Sequence, residues 1–234
     1  MFALRLVQFL FGFMLVAPVQ AGLPDARVFP GEGSRILLWL HAEQGRAVPE
    51  LLAADRLAAR GVTVWSYDLA AAYFLPHLAS SLDQAPVEEL QRWLGGVADS
   101  GEQATIYAVS RAAVPLVKAL ARMDTNQRQR LCVLMMYPNL YVSSESQMEA
   151  SYLDPGRLDG LRMRVMQPRR SAATPWLPEL LAHLEQLGAV VSPVVLEDLR
   201  ERFWARETPT AFELSETARL DEILYNELNH EACR

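Results

Sequence analysis

Ser110 has the sequence context of a catalytic nucleophile. It lies at the centre of the run AVSRA at 108–112, between a strand-like segment and a helix-like segment. Small residues two positions before and two positions after a serine allow a strand to turn sharply into a helix and expose the hydroxyl. Alanine meets this requirement, although less comfortably than glycine. The run predicts a nucleophilic serine; the alternative interpretation is a serine that caps the following helix.

A nucleophilic serine needs a base to accept its proton. The chain has four histidines, and we expect each of them to be structural or solvated. His41 lies in the loop after a predicted strand and His77 in a connecting stretch, whereas His183 lies within a predicted helix and His230 near the end of the sequence. No HxxxH, HExxH or HxH spacing occurs, so we predict no metal site and no cofactor.

Four arginines lie at or close to predicted strand ends, in a chain of net charge −6. Guanidinium groups that converge on one site can hold a carboxylate, sulfate or phosphate by bidentate hydrogen bonds. The alternative, which we prefer, is that they are solvated and that some pair with neighbouring carboxylates. The four anion-binding candidates are Arg111, Arg169, Arg170 and Arg200.

Strand-like and helix-like runs alternate along most of the chain. This alternation predicts βαβ units, a parallel sheet and right-handed crossovers. We therefore expect one doubly wound α/β domain over 22–234, with about six strands in its sheet and its ligand site outside the carboxyl ends of those strands. The predicted strands are 35–41, 62–67, 105–109, 131–137, 161–166 and 189–196; the predicted helices are 48–60, one that ends near 93–94 before Gly95 and Gly96, 111–123, 178–187 and 213–229.

These elements, with the serine run, resemble the α/β-hydrolase fold. The sequence HAEQG at 41–45 resembles the family's His-Gly-x-x-Gly loop, with Gly45 at the second glycine and Ala42 in place of the first. The resemblance covers about 35–203 and implies a mostly parallel sheet; we expect no cap domain. It also implies an oxyanion hole built from the loop at His41 and Ala42 and from Arg111, the residue after the serine.

The remaining catalytic residues of that family are not matched. Its Gly-x-x-Asp-x-x-x-Pro loop resembles 167–175, where Ser171 stands at the aspartate position. The turn that carries its histidine corresponds to 196–204, which contains Arg200 and Glu201 but no histidine. A triad without its base loses most of its rate, although an oxyanion hole leaves residual catalysis. The chain thus resembles a degenerate member of the superfamily.

Two functions from different classes remain open. The first, which we prefer, is a non-catalytic binding or accessory module for a protein partner or a small anionic ligand. The alternative is an active serine hydrolase of the esterase or peptidase type, with Ser110 as nucleophile and a non-standard base. Aromatic residues near strand ends would provide packing or, if several face outward, an apolar patch for a partner. They are Trp65, Tyr67, Tyr73, Phe74, Tyr137, Tyr141, Tyr152, Trp176, Phe203 and Trp204.

The first 21 residues have the features of a cleavable signal peptide. Arg5 precedes an apolar stretch at 6–19, and VQA at 19–21 has the small-x-small pattern of a signal-peptidase site. The stretch is shorter than the roughly 20 residues that span a bilayer as a helix. We predict an exported protein, periplasmic or secreted, with no stable membrane span after processing; an uncleaved anchor and a buried first helix are the alternatives. The acidic balance argues against nucleic acid as a partner.

The C-terminal part of the sequence carries two further predictions. Apolar residues at helical spacing in 212–228 predict that the terminal helix docks on the sheet. Cys132 lies within a predicted strand and Cys233 lies at or beyond the terminal helix. An exported protein could pair them, but the mid-strand position is unfavourable for that geometry. We therefore predict a free Cys233 that is available for an intermolecular bond.

Overall fold

The computed structural model describes Leu23, residues 25–142 and residues 151–233. Its strands are β1 (Arg27–Phe29), β2 (Arg35–Leu40), β3 (Val62–Tyr67), β4 (Gln103–Val109), β5 (Leu131–Met136), β6 (Tyr141–Val142), β7 (Ser151–Tyr152), β8 (Arg162–Pro168) and β9 (Val190–Leu196). The main sheet has seven strands in the order β1-β3-β2-β4-β5-β8-β9, and β6 and β7 form a separate antiparallel pair. Only β1 runs antiparallel to its neighbour in the main sheet. The predicted mostly parallel sheet is confirmed.

Helices cover both faces of the main sheet. They are α1 (Val48–Ala59), α2 (Leu69–Ala72), α3 (Glu88–Ser100), α4 (Ala113–Ala121), α5 (Thr125–Gln129), α6 (Leu177–Gln186), α7 (Ala211–Ala218) and α8 (Leu220–Leu228). One apolar core lies between the sheet and α3, α4 and α6, and a second lies between the opposite face and α1 and α8. Neighbouring strand residues alternate between the cores, as Leu38 and Trp39 do in β2. The fold is doubly wound, as the alternating sequence pattern predicts.

Two elements differ from the sequence pattern. The helix predicted to end at Gly95 and Gly96 continues as α3 to Ser100, because Leu94 and Ala98 bury side chains on either side of the glycine pair. The helix ends instead at Gly101, whose φ of 78° is the left-handed conformation typical of a helix C-terminus. The pattern also gives no indication of β1, since three residues are too few to show an alternation.

The terminal helix is divided into α7 and α8 at Arg219. Leu220, Leu224 and Leu228 are buried in the second core, where α8 packs against α1. The predicted docking is therefore confirmed for α8. Phe212, at the start of α7, is 46% exposed, so its expected place in the buried stripe is wrong.

A disulfide joins Cys132 to Cys233, whose Cα atoms are 5.2 Å apart. The expectation of a free Cys233 is wrong. A short 3₁₀ helix, Glu231–Cys233, packs against β5 and brings Cys233 beside the buried Cys132. The Gln103 side-chain amide donates a hydrogen bond to the Cys233 carbonyl at 3.1 Å, which fixes this segment to the neighbouring strand β4.

The predicted signal peptide at 1–21 lies outside the described residues. Among the helices that are described, none combines the length and the apolar character needed to cross a membrane. Export therefore stays a prediction from the sequence.

The two edges of the main sheet are formed by β1 and β9. β1 has three residues. β9 has seven residues and carries Pro193, which is exposed and lies opposite Val165 of β8. Proline has no backbone N–H and is tolerated in a sheet mainly at such an edge.

Candidate functional site

Backbone strain is concentrated at one end of the main sheet. We call this end the carboxyl edge; it comprises the loops 41–47, 68–87, 110–112, 137–142, 169–176 and 197–210, which follow the carboxyl ends of the strands. Of the six described non-glycine residues with positive φ, five lie here: Phe74, Ser110, Tyr137, Asp198 and Arg202. Such conformations cost about 1–3 kcal/mol each and cluster at functional sites. The carboxyl edge is therefore the candidate site, as expected for an open parallel sheet.

Ser110 occupies a sharp turn between β4 and α4. Its φ is 53°, and the 3₁₀ turn Ser110–Ala112 leads directly into α4. Ala108 and Ala112 are fully buried on either side of the serine, which explains why small residues are needed at both positions. The side chain is half-buried, and its hydroxyl makes no hydrogen bond within the described part of the chain. The serine therefore does not cap the helix.

The Arg111 side chain holds the surroundings of Ser110 in place. Its Nε donates to Asp83 Oδ1 at 2.6 Å, and its Nη2 pairs with the second carboxylate oxygen. Its Nη1 donates to the carbonyl oxygens of Asn139 and Tyr141, and the Asn139 N–H donates to the Ser110 carbonyl at 3.1 Å. We call Arg111, Asp83 and these two carbonyl groups the Arg111 clamp. Because the guanidinium is occupied by the protein itself, it is not available to an anionic ligand.

The other arginine candidates are mostly paired with carboxylates. Arg169 pairs with Glu197 at the surface. Arg200 pairs with the buried Glu213 and lowers the pKa of that carboxyl to about 2 through the hydrogen bond. The Arg170 side chain is exposed, and its guanidinium has no partner among the residues that the structure describes. The arrangement favours ion pairing over a shared anion site.

Ser171 and Glu201 meet at the carboxyl edge. They stand at the positions where the α/β-hydrolase resemblance implies an aspartate and a histidine. The Ser171 hydroxyl donates to a carboxylate oxygen of Glu201 and accepts the Ala173 N–H at 3.0 Å. The two side chains are therefore in contact, but the pair contains no imidazole.

His41 is part of a buried hydrogen-bonded set. Its Nδ1 donates to Glu50 Oε2 at 3.2 Å, and its Nε2 lies 2.7 Å from the Ser66 hydroxyl. Glu50 Oε2 also accepts the Ala47 N–H at 2.7 Å, at the start of α1. All three side chains of the set are nearly inaccessible to water. His41 therefore anchors the loop 41–47 and is excluded as a base for Ser110.

The other three histidines differ in their environments. His183, in α6, has Nε2 2.8 Å from the Leu153 carbonyl and stacks on Tyr152. His230 accepts the Ala232 N–H with Nδ1. His77 lies in the exposed part of the carboxyl edge, with Nδ1 3.1 Å from the Glu43 carbonyl. Only His77 of these three lies in a carboxyl-edge loop.

Half of the predicted aromatic set is buried. Tyr137 follows β5 with a φ of 36°, and its buried hydroxyl has no hydrogen-bond partner in the described residues. Burial raises the pKa of the Tyr137 phenol well above its ordinary value. Phe74 and Trp176 are instead exposed at the carboxyl edge, by 91% and 54%. The side chains that are buried are Trp65, Tyr67, Tyr137, Phe203 and Trp204.

No cluster of three or more His, Cys, Asp or Glu side chains suited to a metal ion occurs in the described ranges. The carboxyl edge carries a hydroxyl at Ser110, an imidazole at His77 and a carboxylate at Glu201, which are groups capable of nucleophilic and acid–base chemistry. The sequence identifies the serine and the two substituted positions, but it does not indicate that Asp83 or Glu50 holds the adjacent loops. Both are separated by nine or more residues from the side chain that they bind.

Comparisons with known proteins give the fold. No family profile and no curated protein matches the chain. A candidate dienelactone hydrolase from Klebsiella pneumoniae subsp. pneumoniae superposes with a TM-score of 0.55 at 14% identity, covering 86% of this chain and 88% of that chain. Esterase 2 of Thermogutta terrifontis with bound propionate has a TM-score of 0.54 at 13% identity, covering 87% and 89%. The chain has an α/β-hydrolase-like fold, as the sequence resemblance implies.

Proposed function

We propose that this protein is an esterase-type serine hydrolase with Ser110 as its nucleophile. The observation that carries the proposal is the φ of 53° at Ser110, in a sharp turn from strand to helix. A strained turn of this kind presents the hydroxyl above the sheet in serine hydrolases. The half-buried hydroxyl has no partner among the described residues, as expected of a nucleophile that awaits its substrate. The esterases among the structural neighbours support the same reaction class.

The surrounding loops suit an acyl-transfer reaction. The first N–H groups of a helix have no partner within the helix, so in this proposal the N–H of Arg111 stabilises the oxyanion that forms when Ser110 attacks an ester. The loop at His41 and Ala42 would supply the second donor. It follows β2, the strand next to β4. The His41–Glu50 hydrogen bond joins this loop to α1.

A second candidate function is non-catalytic binding. The observation that favours it is the hydrogen-bonded pair of Ser171 and Glu201, two residues that the sequence resemblance aligns with the usual acid and base and that include no histidine. In this case the fold would serve as a scaffold, and the strained serine would have no covalent role.

A fluorophosphonate probe distinguishes the two functions. We expect one probe molecule on the wild-type protein by intact mass, located on Ser110 by peptide mapping, and none on Ser110→Ala. The matched control is Ser215→Ala, which changes an exposed serine on α7 and leaves labelling unaltered. A folded wild-type protein that is not labelled would support the binding function instead.

We also propose that the protein is exported. The disulfide between Cys132 and Cys233 supports this, because such bonds persist mainly in oxidising compartments. Mass spectrometry of the periplasmic or secreted fraction should find an N-terminus at Gly22. An intact Met1 on a membrane-bound product would contradict export by cleavage.

A further inference from the structure

We propose that His77 is the general base for Ser110, a role that rests on the proposed function. The first argument is the proton arrangement on its ring. A carbonyl oxygen can only accept a hydrogen bond, so the contact between Nδ1 and the Glu43 carbonyl at 3.1 Å places the proton of the neutral ring on Nδ1. Nε2 then carries a free lone pair, which is the tautomer that a base requires.

The second argument is the position of His77 between two segments that flank Ser110. On one side is the loop after β2, whose Glu43 carbonyl contacts His77 Nδ1; β2 is the direct neighbour of β4. On the other side the chain continues into the 3₁₀ helix Ala79–Gln84, which packs against the turn Ser110–Ala112. Asp83 of this helix is the carboxylate of the Arg111 clamp. His77 is thus hydrogen-bonded to the loop after β2 and lies two residues before the helix that packs against the Ser110 turn.

A carboxylate lies beside the same loop. A Cβ atom on Gly45 would be 2.7 Å from Asp68 Oδ2 and 3.4 Å from His77 Cε1, so both side chains approach one point on the loop. Asp68 is buried, and its Oδ1 accepts the Ala71 N–H at 3.0 Å. The Asp68 carboxylate therefore lies beside the same stretch of loop whose Glu43 carbonyl contacts His77. Gly45, with a φ of 76°, is the residue that leaves space for both groups.

The reaction balances with these groups and water. Ser110 Oγ forms a bond to the acyl carbon while its proton moves to His77 Nε2 and the carbonyl electron pair moves onto oxygen. When the carbonyl re-forms, the alcohol leaves with the proton from Nε2. Water then gives a proton to Nε2 and attacks the acyl carbon, and Ser110 Oγ leaves and takes that proton back. His77 and Ser110, both within the described residues, are not hydrogen-bonded to each other; contacts between base and nucleophile in apo enzymes often tighten only when substrate binds.

The test compares rates of Ser110 labelling by a fluorophosphonate and rates of p-nitrophenyl acetate hydrolysis. General bases contribute about 100- to 10,000-fold, so we expect His77→Gln and His77→Ala to lose at least about 100-fold in both rates. Added imidazole should restore part of the rate of His77→Ala, because a diffusing base can replace a missing one but cannot repair a structural defect. The matched control is His183→Gln, which we expect to stay within about twofold of wild type.

Each contrary result has a distinct meaning. Labelling of Ser110 at the wild-type rate in His77→Ala would overturn the role of His77 and leave the proposed function intact. A larger loss in Glu201→Gln than in His77→Ala would assign the base to Glu201 instead. Absence of Ser110 labelling in the wild-type protein would overturn the proposed function and, with it, the need for a base.

Discussion

Asp83→Asn tests whether the Arg111 clamp stabilises both the fold and the serine turn. The Arg111 side chain is 10% exposed and that of Asp83 is 33% exposed, so the pair is intermediate between a buried and a surface ion pair. Removing one partner of a buried pair costs about 3–5 kcal/mol, whereas a surface pair contributes about 0–1 kcal/mol. Arg111 keeps its hydrogen bonds to the carbonyl groups of Asn139 and Tyr141. We therefore expect the free energy of unfolding to fall by about 2 kcal/mol.

The assay is urea unfolding, read by tryptophan fluorescence, together with the rate of Ser110 labelling. Asp99→Asn is the matched control, because Asp99 is 58% exposed and pairs with Arg130 at 3.6 Å; its effect should be below about 0.5 kcal/mol. Loosening the clamp should also slow labelling by about tenfold, since small displacements of a nucleophile are costly. Equal stability of the two variants, with unchanged labelling, would refute the reasoning.

Three further predictions concern stability. Replacing both Cys132 and Cys233 by alanine should lower the free energy of unfolding by about 4–5 kcal/mol, the chain-entropy value for a loop of this length; the same urea titration measures it, and a loss below about 1 kcal/mol would contradict it. The Arg200 hydrogen bond lowers the pKa of Glu213 to about 2 from 4.5, so this pair should stabilise the fold fully above about pH 4.5 and lose its contribution as the pH falls toward 2. Acid titration of stability should therefore be shallower in Glu213→Gln than in wild type. Ser110→Gly should be more stable than Ser110→Ala by about 0.5–1 kcal/mol, because glycine adopts a φ of 53° without strain; equal thermal midpoints for the two variants would argue against strain.

The sequence predicts the parts of the fold that depend on local patterns. β3 has the predicted bounds of 62–67, and β2, β4, β5, β8 and β9 differ from their predicted bounds by at most two residues at either end. Gly61 and Gly188 end helices as expected, with φ values of 86° and 96°. The wrong helix end at Gly95 has a physical cause, because burial of Leu94 and Ala98 outweighs the low helix propensity of two glycines.

The candidate site is less predictable because its contacts cross large distances in the sequence. The AVSRA run indicates the serine turn, and Ser171 and Glu201 meet as their positions imply. No local pattern pairs Cys132 with Cys233, since that contact depends on the terminal segment returning to a central strand. The environment of His77 is also set by a remote contact, with a carbonyl group 34 positions earlier in the chain.

The edges of the main sheet have a consequence for crowded solutions. An unpaired strand can recruit a strand from a second molecule, and edge-to-edge growth of this kind leads to aggregation. Here β1 is too short to serve as a template, and Pro193 interrupts β9 with a residue that cannot donate to a new partner. Concentrating the protein should therefore not produce strand-swapped or fibrillar species through either edge. Pro193→Val would add a backbone N–H to β9 and make that edge able to pair with a strand of a second molecule.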